Sequence, residues 1–166
     1  MISTVIYTSK TGSSERFANE ISRALHVPAK PMGEAVRADG KVIYVGWTLA
    51  AGVVGLKKAM EKYDVAAVVQ VGMSPITAES AAFARKSNNL PDNIAVFSKQ
   101  GGFSMKKLPL HFKLIMKLKN KEIAERLQKK GALNEQEKAT LNMAVTGEGA
   151  PTNWDVSDVV KWAQEN

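Results

Sequence analysis

The 166-residue chain has no cysteine. That absence excludes disulfides, thiolate nucleophiles, zinc sites built on cysteine and iron–sulfur ligation. Histidine is nearly absent. His26 and His111 lie far apart and belong to no metal-spacing motif, so packing or surface positions are expected for both. No apolar run reaches the about 18–20 residues that span a bilayer. No basic leader followed by an apolar stretch opens the chain, so a cytoplasmic location is the default expectation. Several signature motifs are missing too. There is no G-x-x-x-x-G-K-[ST], which excludes a Walker nucleotide loop. The sole G-x-G, Gly147-Glu148-Gly149, runs into Ala150-Pro151 and follows no clear strand, which argues against a dinucleotide fingerprint. No acidic pair ends or follows the first apolar run, so a phosphoacceptor receiver is a poor match.

What is present suits one domain over residues 1–166: 45% of residues are hydrophobic, enough for a sizeable core. The net charge of +7 is unevenly placed. Residues 99–130 carry ten Lys/Arg and two Glu, a local +8, and the remainder carries −1. A localised basic segment implies an anionic partner surface more than it implies general solubility.

Strand-like runs alternate with helical patterns. Strands are expected over residues 2–7, 42–46, 65–71 and 94–97, with a short one near 27–30 weakened by Pro28 and Pro31. Helices are expected over 14–25, 53–63, 78–86, 109–130, 134–144 and 157–164. Val65–Val71 is almost purely apolar, as a central strand buried on both faces must be. Parallel strands need crossover helices. The alternation therefore predicts an α/β fold, a three-layer flavodoxin-like sandwich with a five-stranded parallel sheet in the order 2-1-3-4-5. In that order ligands bind beyond the carboxyl ends of the strands, at the switch point.

The sharpest feature is Val5-Ile6-Tyr7-Thr8-Ser9-Lys10-Thr11-Gly12-Ser13-Ser14. A buried strand stops at a hydroxyl-rich loop, and a helix begins with Phe17, Ile21 and Leu25 on one face. Backbone N–H groups at a helix start point at an anion, and the helix dipole adds partial positive charge. Ser9, Thr11, Ser13 and Ser14 supply hydroxyls, and Gly12 lets the backbone turn close to a ligand. The competing reading is that Ser13 or Ser14 merely caps the helix.

This stretch resembles the phosphate loop of the flavodoxin family, with Ala18 in the family's alanine place and Ser14 where a threonine is usual. Lys41–Trp47, the fifth strand with its basic extension, and Asn153-Trp154-Asp155 are similar to the subgroup that includes the menaquinone-dependent protoporphyrinogen dehydrogenases. The substrate-loop features of those dehydrogenases are not recognisable here. The resemblance implies non-covalent FMN, held at its phosphate by Ser9, Lys10, Thr11, Gly12, Ser13 and Ser14. It implies two ring loops: Trp47, Thr48, Leu49 and Ala50 after the third strand, and Gly72, Met73 and Ser74 after the fourth. Trp47 offers a flat face for stacking; as a core residue under the sheet edge it would do nothing of the kind. Met73 has the alternative of a simple gap-filler. The loop 98–103, with Gly101 and Gly102, would close the crevice from the other side, or form a plain turn. The implied activity is electron transfer, with a redox partner protein or a quinone. If the chain is an enzyme, it is an FMN-dependent dehydrogenase or quinone reductase, quinone- or porphyrinogen-linked. A flavin-free docking module on the same fold is the alternative.

Residues 106–121 mix Leu110, Leu114, Met116 and Leu118 with Lys113, Lys117, Lys119 and Lys121. Such a helix can pack inward with its lysines in water, lie on an anionic membrane, or meet an acidic redox partner. Nucleic acid is not expected, because only Phe103 and Phe112 offer stacking faces and no binding motif is present.

Overall fold

A computed structural model describes residues 1–34 and 38–166. Strand β1 (Ile2–Thr8) leads into helix α1 (Ser13–Leu25), followed by β2 (Ala29–Pro31), β3 (Lys41–Leu49), β4 (Gly52–Val53) and α2 (Leu56–Lys62). Then come β5 (Val65–Gly72), α3 (Ser80–Ser87), β6 (Ala95–Gln100), β7 (Phe103–Ser104), α4 (Leu110–Lys130), α5 (Glu135–Thr146), β8 (Glu148–Gly149) and α6 (Ser157–Glu165). The parallel strands lie in the order β2-β1-β3-β5-β6, which is 2-1-3-4-5 among parallel strands alone. The fold is the expected three-layer flavodoxin-like sandwich.

The strand count departs from five. β4 adds a sixth, antiparallel strand, pairing Thr48 with Val53 and Leu49 with Gly52. That hairpin removes residues 53–55 from the helix expected there, and α2 starts only after Gly55, at φ 82°. β7 and β8 form a separate two-stranded antiparallel sheet. β2 tolerates Pro31 because it is an edge strand.

Alternation along the central strands builds two cores. Val42, Tyr44 and Val68 face Leu56 and Ala59 of α2, together with Tyr63. Ile43, Val45, Ala67 and Val69 face Phe17 and Ile21 of α1 and Val159 of α6. Burying Phe17 or Ile21 stabilises by about 1.5–3 kcal/mol each. A third cluster, Phe103, Leu108 and Met143 with Phe112 and Met116, seats α4 and α5 beyond the carboxyl end of the sheet. There they roof the switch point. Among the described residues, no helix is long and apolar enough to cross a membrane.

Candidate functional site

The carboxyl ends of β1, β3, β5 and β6 open into one cavity of about 580 Å³, a volume typical of small-molecule sites. Its floor at one end is the β1–α1 loop. Gly12 is the N-cap of α1, at φ 103°, and no side chain caps the helix. Ser13 and Ser14 are therefore not caps, and among the described residues no side chain accepts from the first N–H groups of α1.

The hydroxyls of this loop divide into two pairs. Ser9 Oγ accepts from the Gly12 N–H at 3.1 Å, and Ser13 Oγ accepts from the Gly102 N–H at 2.8 Å. These two shape the loop. Thr11 lines the cavity and Ser14 is buried at 1% exposure, with its Oγ lacking any hydrogen-bond partner among the described residues. A buried hydroxyl without a partner costs roughly 1–3 kcal/mol, and a bound acceptor would recover it. Lys10 lines the rim, and Lys107 approaches the Thr11 carbonyl oxygen at 3.4 Å.

The opposite end is flat and apolar. Trp47, Thr48 and Leu49 lie at the end of β3 rather than in a loop, and Ala50 and Ala51 make the β3–β4 turn. Trp47 is half-buried on the cavity wall and meets Phe112 edge-on, with ring centroids 5.9 Å apart. It is not under the sheet edge. Ala50 and Ala51 sit at φ 47° and 70°, a left-handed region that costs alanine about 1–2 kcal/mol per residue. Asn88 holds this strained turn: its Oδ1 accepts from the Val53 N–H at 2.8 Å, and its Nδ2 donates to the Ala51 carbonyl at 3.3 Å. Beneath the turn, the Tyr44 hydroxyl donates to the Val54 carbonyl at 2.6 Å, and burial pushes its pKa up to about 12.

Gly72 ends β5, and Met73 and Ser74 follow. A Cβ at Gly72 would lie 2.6 Å from Thr48 Oγ1, so a side chain there would displace the Thr48 hydroxyl. The Met73 carbonyl accepts from Thr140 Oγ1 at 2.6 Å and from Gln100 Nε2 at 3.4 Å. Met73 packs on the third cluster as well as lining the cavity. Gly101 and Gly102 are not a plain turn. A Cβ on Gly102 would stand 2.6 Å from the Gly149 carbonyl oxygen, and one on Gly101 2.6 Å from Val71 Cγ1. Gly102 is demanded by close packing between the β1–α1 loop and the β7–β8 ribbon, and Gly101 by the approach of Val71 of β5 and of Ser13.

Twelve of the thirteen candidate residues thus share one cavity wall. Gly12 does not reach it; it sets the turn between Thr11 and Ser13. Sequence reasoning missed the roof. Phe112, Ile115, Met116, Lys119, Ile123 and Arg126 of α4 close the cavity from above. Their spacing of three and four was present in the sequence, but leucines at the same period on another side of α4 hid which face points inward. Phe83 of α3 was also missed; it lines the cavity while remaining 59% exposed.

No protein-family model matches this chain, and no curated sequence is significantly similar to it. The chemistry of the site therefore rests on its own residues. Among the described residues, no cluster of His, Asp or Glu could hold a metal ion. The titratable groups on the wall, among the described residues, are Lys10, Lys119, Glu122 and Arg126, a cationic balance that favours an anionic ligand.

Proposed function

We infer that this protein binds FMN non-covalently and serves as an electron carrier of the flavodoxin type. The observation that carries the reading is the Ser14 hydroxyl. It is buried, unpartnered, placed at the start of α1 and set in the wall of the same cavity as Trp47. A phosphate at that helix start gains the α1 N–H groups and the hydroxyls of Thr11 and Ser14. Ser9 and Ser13 keep the loop in shape. Trp47 gives a planar ring a face to stack on, worth about 0.5–1.5 kcal/mol beyond area burial. The backbone of residues 72–74 offers polar groups to the ring edge.

Bound FMN supplies the redox chemistry. The chain's part is to orient the ring, exclude water with Met73, Phe112 and Met116, and set the polarity at its edge. No acid, base or thiol is needed for that work. The apolar outer wall suits a quinone as electron partner, and the cationic rim suits an acidic redox protein. An FMN-dependent dehydrogenase or quinone reductase would use the same arrangement.

The test is a visible spectrum after adding FMN and desalting. Retained bands at about 375 and 450 nm support the reading. A colourless protein overturns it and leaves the flavin-free docking module. Thr11→Ala combined with Ser14→Ala should lower FMN affinity at least ten-fold by titration, about 1.4 kcal/mol.

A further inference from the structure

Helix α4 turns a row of leucines outward. Leu110, Leu114 and Leu118 are 84%, 68% and 69% exposed, and Ile115 is 47% exposed. A spacing of four places them in one stripe about 12 Å long on the helix. Single exposed leucines are ordinary; a contiguous row marks an interaction surface. The helix does not need these side chains for its own packing. Phe112 and Met116 join the third cluster, and Asn120 and Leu127 are buried.

Charge identifies what meets the row. Lys113, Lys117 and Lys121 repeat at the same spacing along its flank, and Lys106 precedes the helix. None of these four has an ion-pair partner among the described residues. Residues 106–121 contain six lysines and no acid, while Glu122 and Glu125 come only beyond Leu118. A second copy of the chain would set lysines against lysines. Lysine stems flanking exposed leucines suit a plane that is anionic at its surface and apolar just beneath it.

We propose that the outward face of α4 docks on an anionic lipid bilayer, with Leu110, Leu114 and Leu118 entering the headgroup–acyl boundary and Lys106, Lys113, Lys117 and Lys121 pairing with lipid phosphates. Ile115 belongs both to this face and to the cavity wall, so the docked protein opens its cavity beside the headgroups. The surface acts whether or not the cavity holds a flavin.

The test is co-sedimentation of the full chain with vesicles of phosphatidylglycerol and phosphatidylcholine in equal parts, against phosphatidylcholine alone. Binding to the anionic vesicles is expected, about ten-fold weaker to the neutral ones and weakened by salt. Leu110→Ser with Leu114→Ser and Leu118→Ser should abolish binding while the chain stays folded, since these side chains are solvent-exposed and the changes cost only serine's lower helix propensity. Leu114→Trp should show a blue-shifted emission when vesicles are added. Failure of the wild-type chain to bind anionic vesicles at low salt overturns the proposal. So does a leucine triple variant that binds like wild type, which would reduce the effect to charge attraction. A lipid-free dimer that the same triple variant dissociates would assign the face to a second copy instead.

Discussion

Thr140 holds Met73 from across the molecule: its hydroxyl donates to the Met73 carbonyl at 2.6 Å, linking α5 to the end of β5. Thr140 is 1% exposed, and Gln100 reinforces the link by donating to both Met73 O and Thr140 Oγ1, at 3.4 and 3.0 Å. Thr140→Val keeps the shape and removes the donor. The expected cost is about 1 kcal/mol in urea unfolding. If the cavity takes FMN, the freed loop should also weaken it a few-fold by titration.

Ser14→Ala should act with opposite signs on two quantities. In the ligand-free protein it removes a buried hydroxyl that has no partner, so stability should rise by about 1 kcal/mol. If the cavity takes FMN with its phosphate at this helix start, FMN affinity should fall, because a donor to that phosphate is lost. A helix-capping serine would behave otherwise and lose stability on the same change.

The β3–β4 turn stores strain in alanine. Ala51 lies at φ 70°, and glycine adopts that conformation without a Cβ clash. Ala51→Gly is expected to raise thermal stability, by about 0.5–1 kcal/mol after allowing for the greater entropy of the unfolded glycine. A fall in melting temperature would show that the turn is not held as described.

Glu137 gives the protein an acid-sensitive joint. Its carboxylate accepts from Lys130 and from the Asn134 N–H, completing a capping box at the start of α5. The Lys130 hydrogen bond, then the Asn134 backbone bond, hold its pKa below the ordinary value of 4.5. The folded pKa is the lower one, so the stabilisation is complete above the unfolded value. It is lost as pH falls through the folded one. Glu137→Gln should flatten that part of the stability–pH curve while lowering stability at neutral pH, as chemical unfolding across the acid range would reveal.

Much of this was legible in the residues themselves. Val65–Val71 announced a doubly buried central strand, and the observed β5 adds only Gly72. Phe17, Ile21 and Leu25 fixed the inward face of α1 through helical spacing. The hydroxyl loop could be read because strand end, glycine and helix start are contiguous. What stayed hidden depends on distant pairing. The two-residue strands β4, β7 and β8 have no periodicity of their own and exist only because a neighbour supplies their hydrogen bonds. The division of labour between Ser13 and Ser14 could not be read either, since it is decided by Gly102, 89 residues away. The cavity roof was obscured because α4 is apolar on its inward and its outward side, so composition alone gives no direction.

The closeness of Ser13, Gly102 and Gly149 has a consequence for the order of events during synthesis. β1 and α1 can pair and pack early, when the first third of the chain has emerged. The loop between them gains its wall only when Gly102 has been wedged in place by the β7–β8 ribbon, whose second strand is Glu148–Gly149. At roughly 5–20 residues per second, several seconds of translation separate the two. The β1–α1 loop is therefore among the last parts to mature, and a nascent chain truncated before β8 would hold a folded first helix and an unfinished cavity wall.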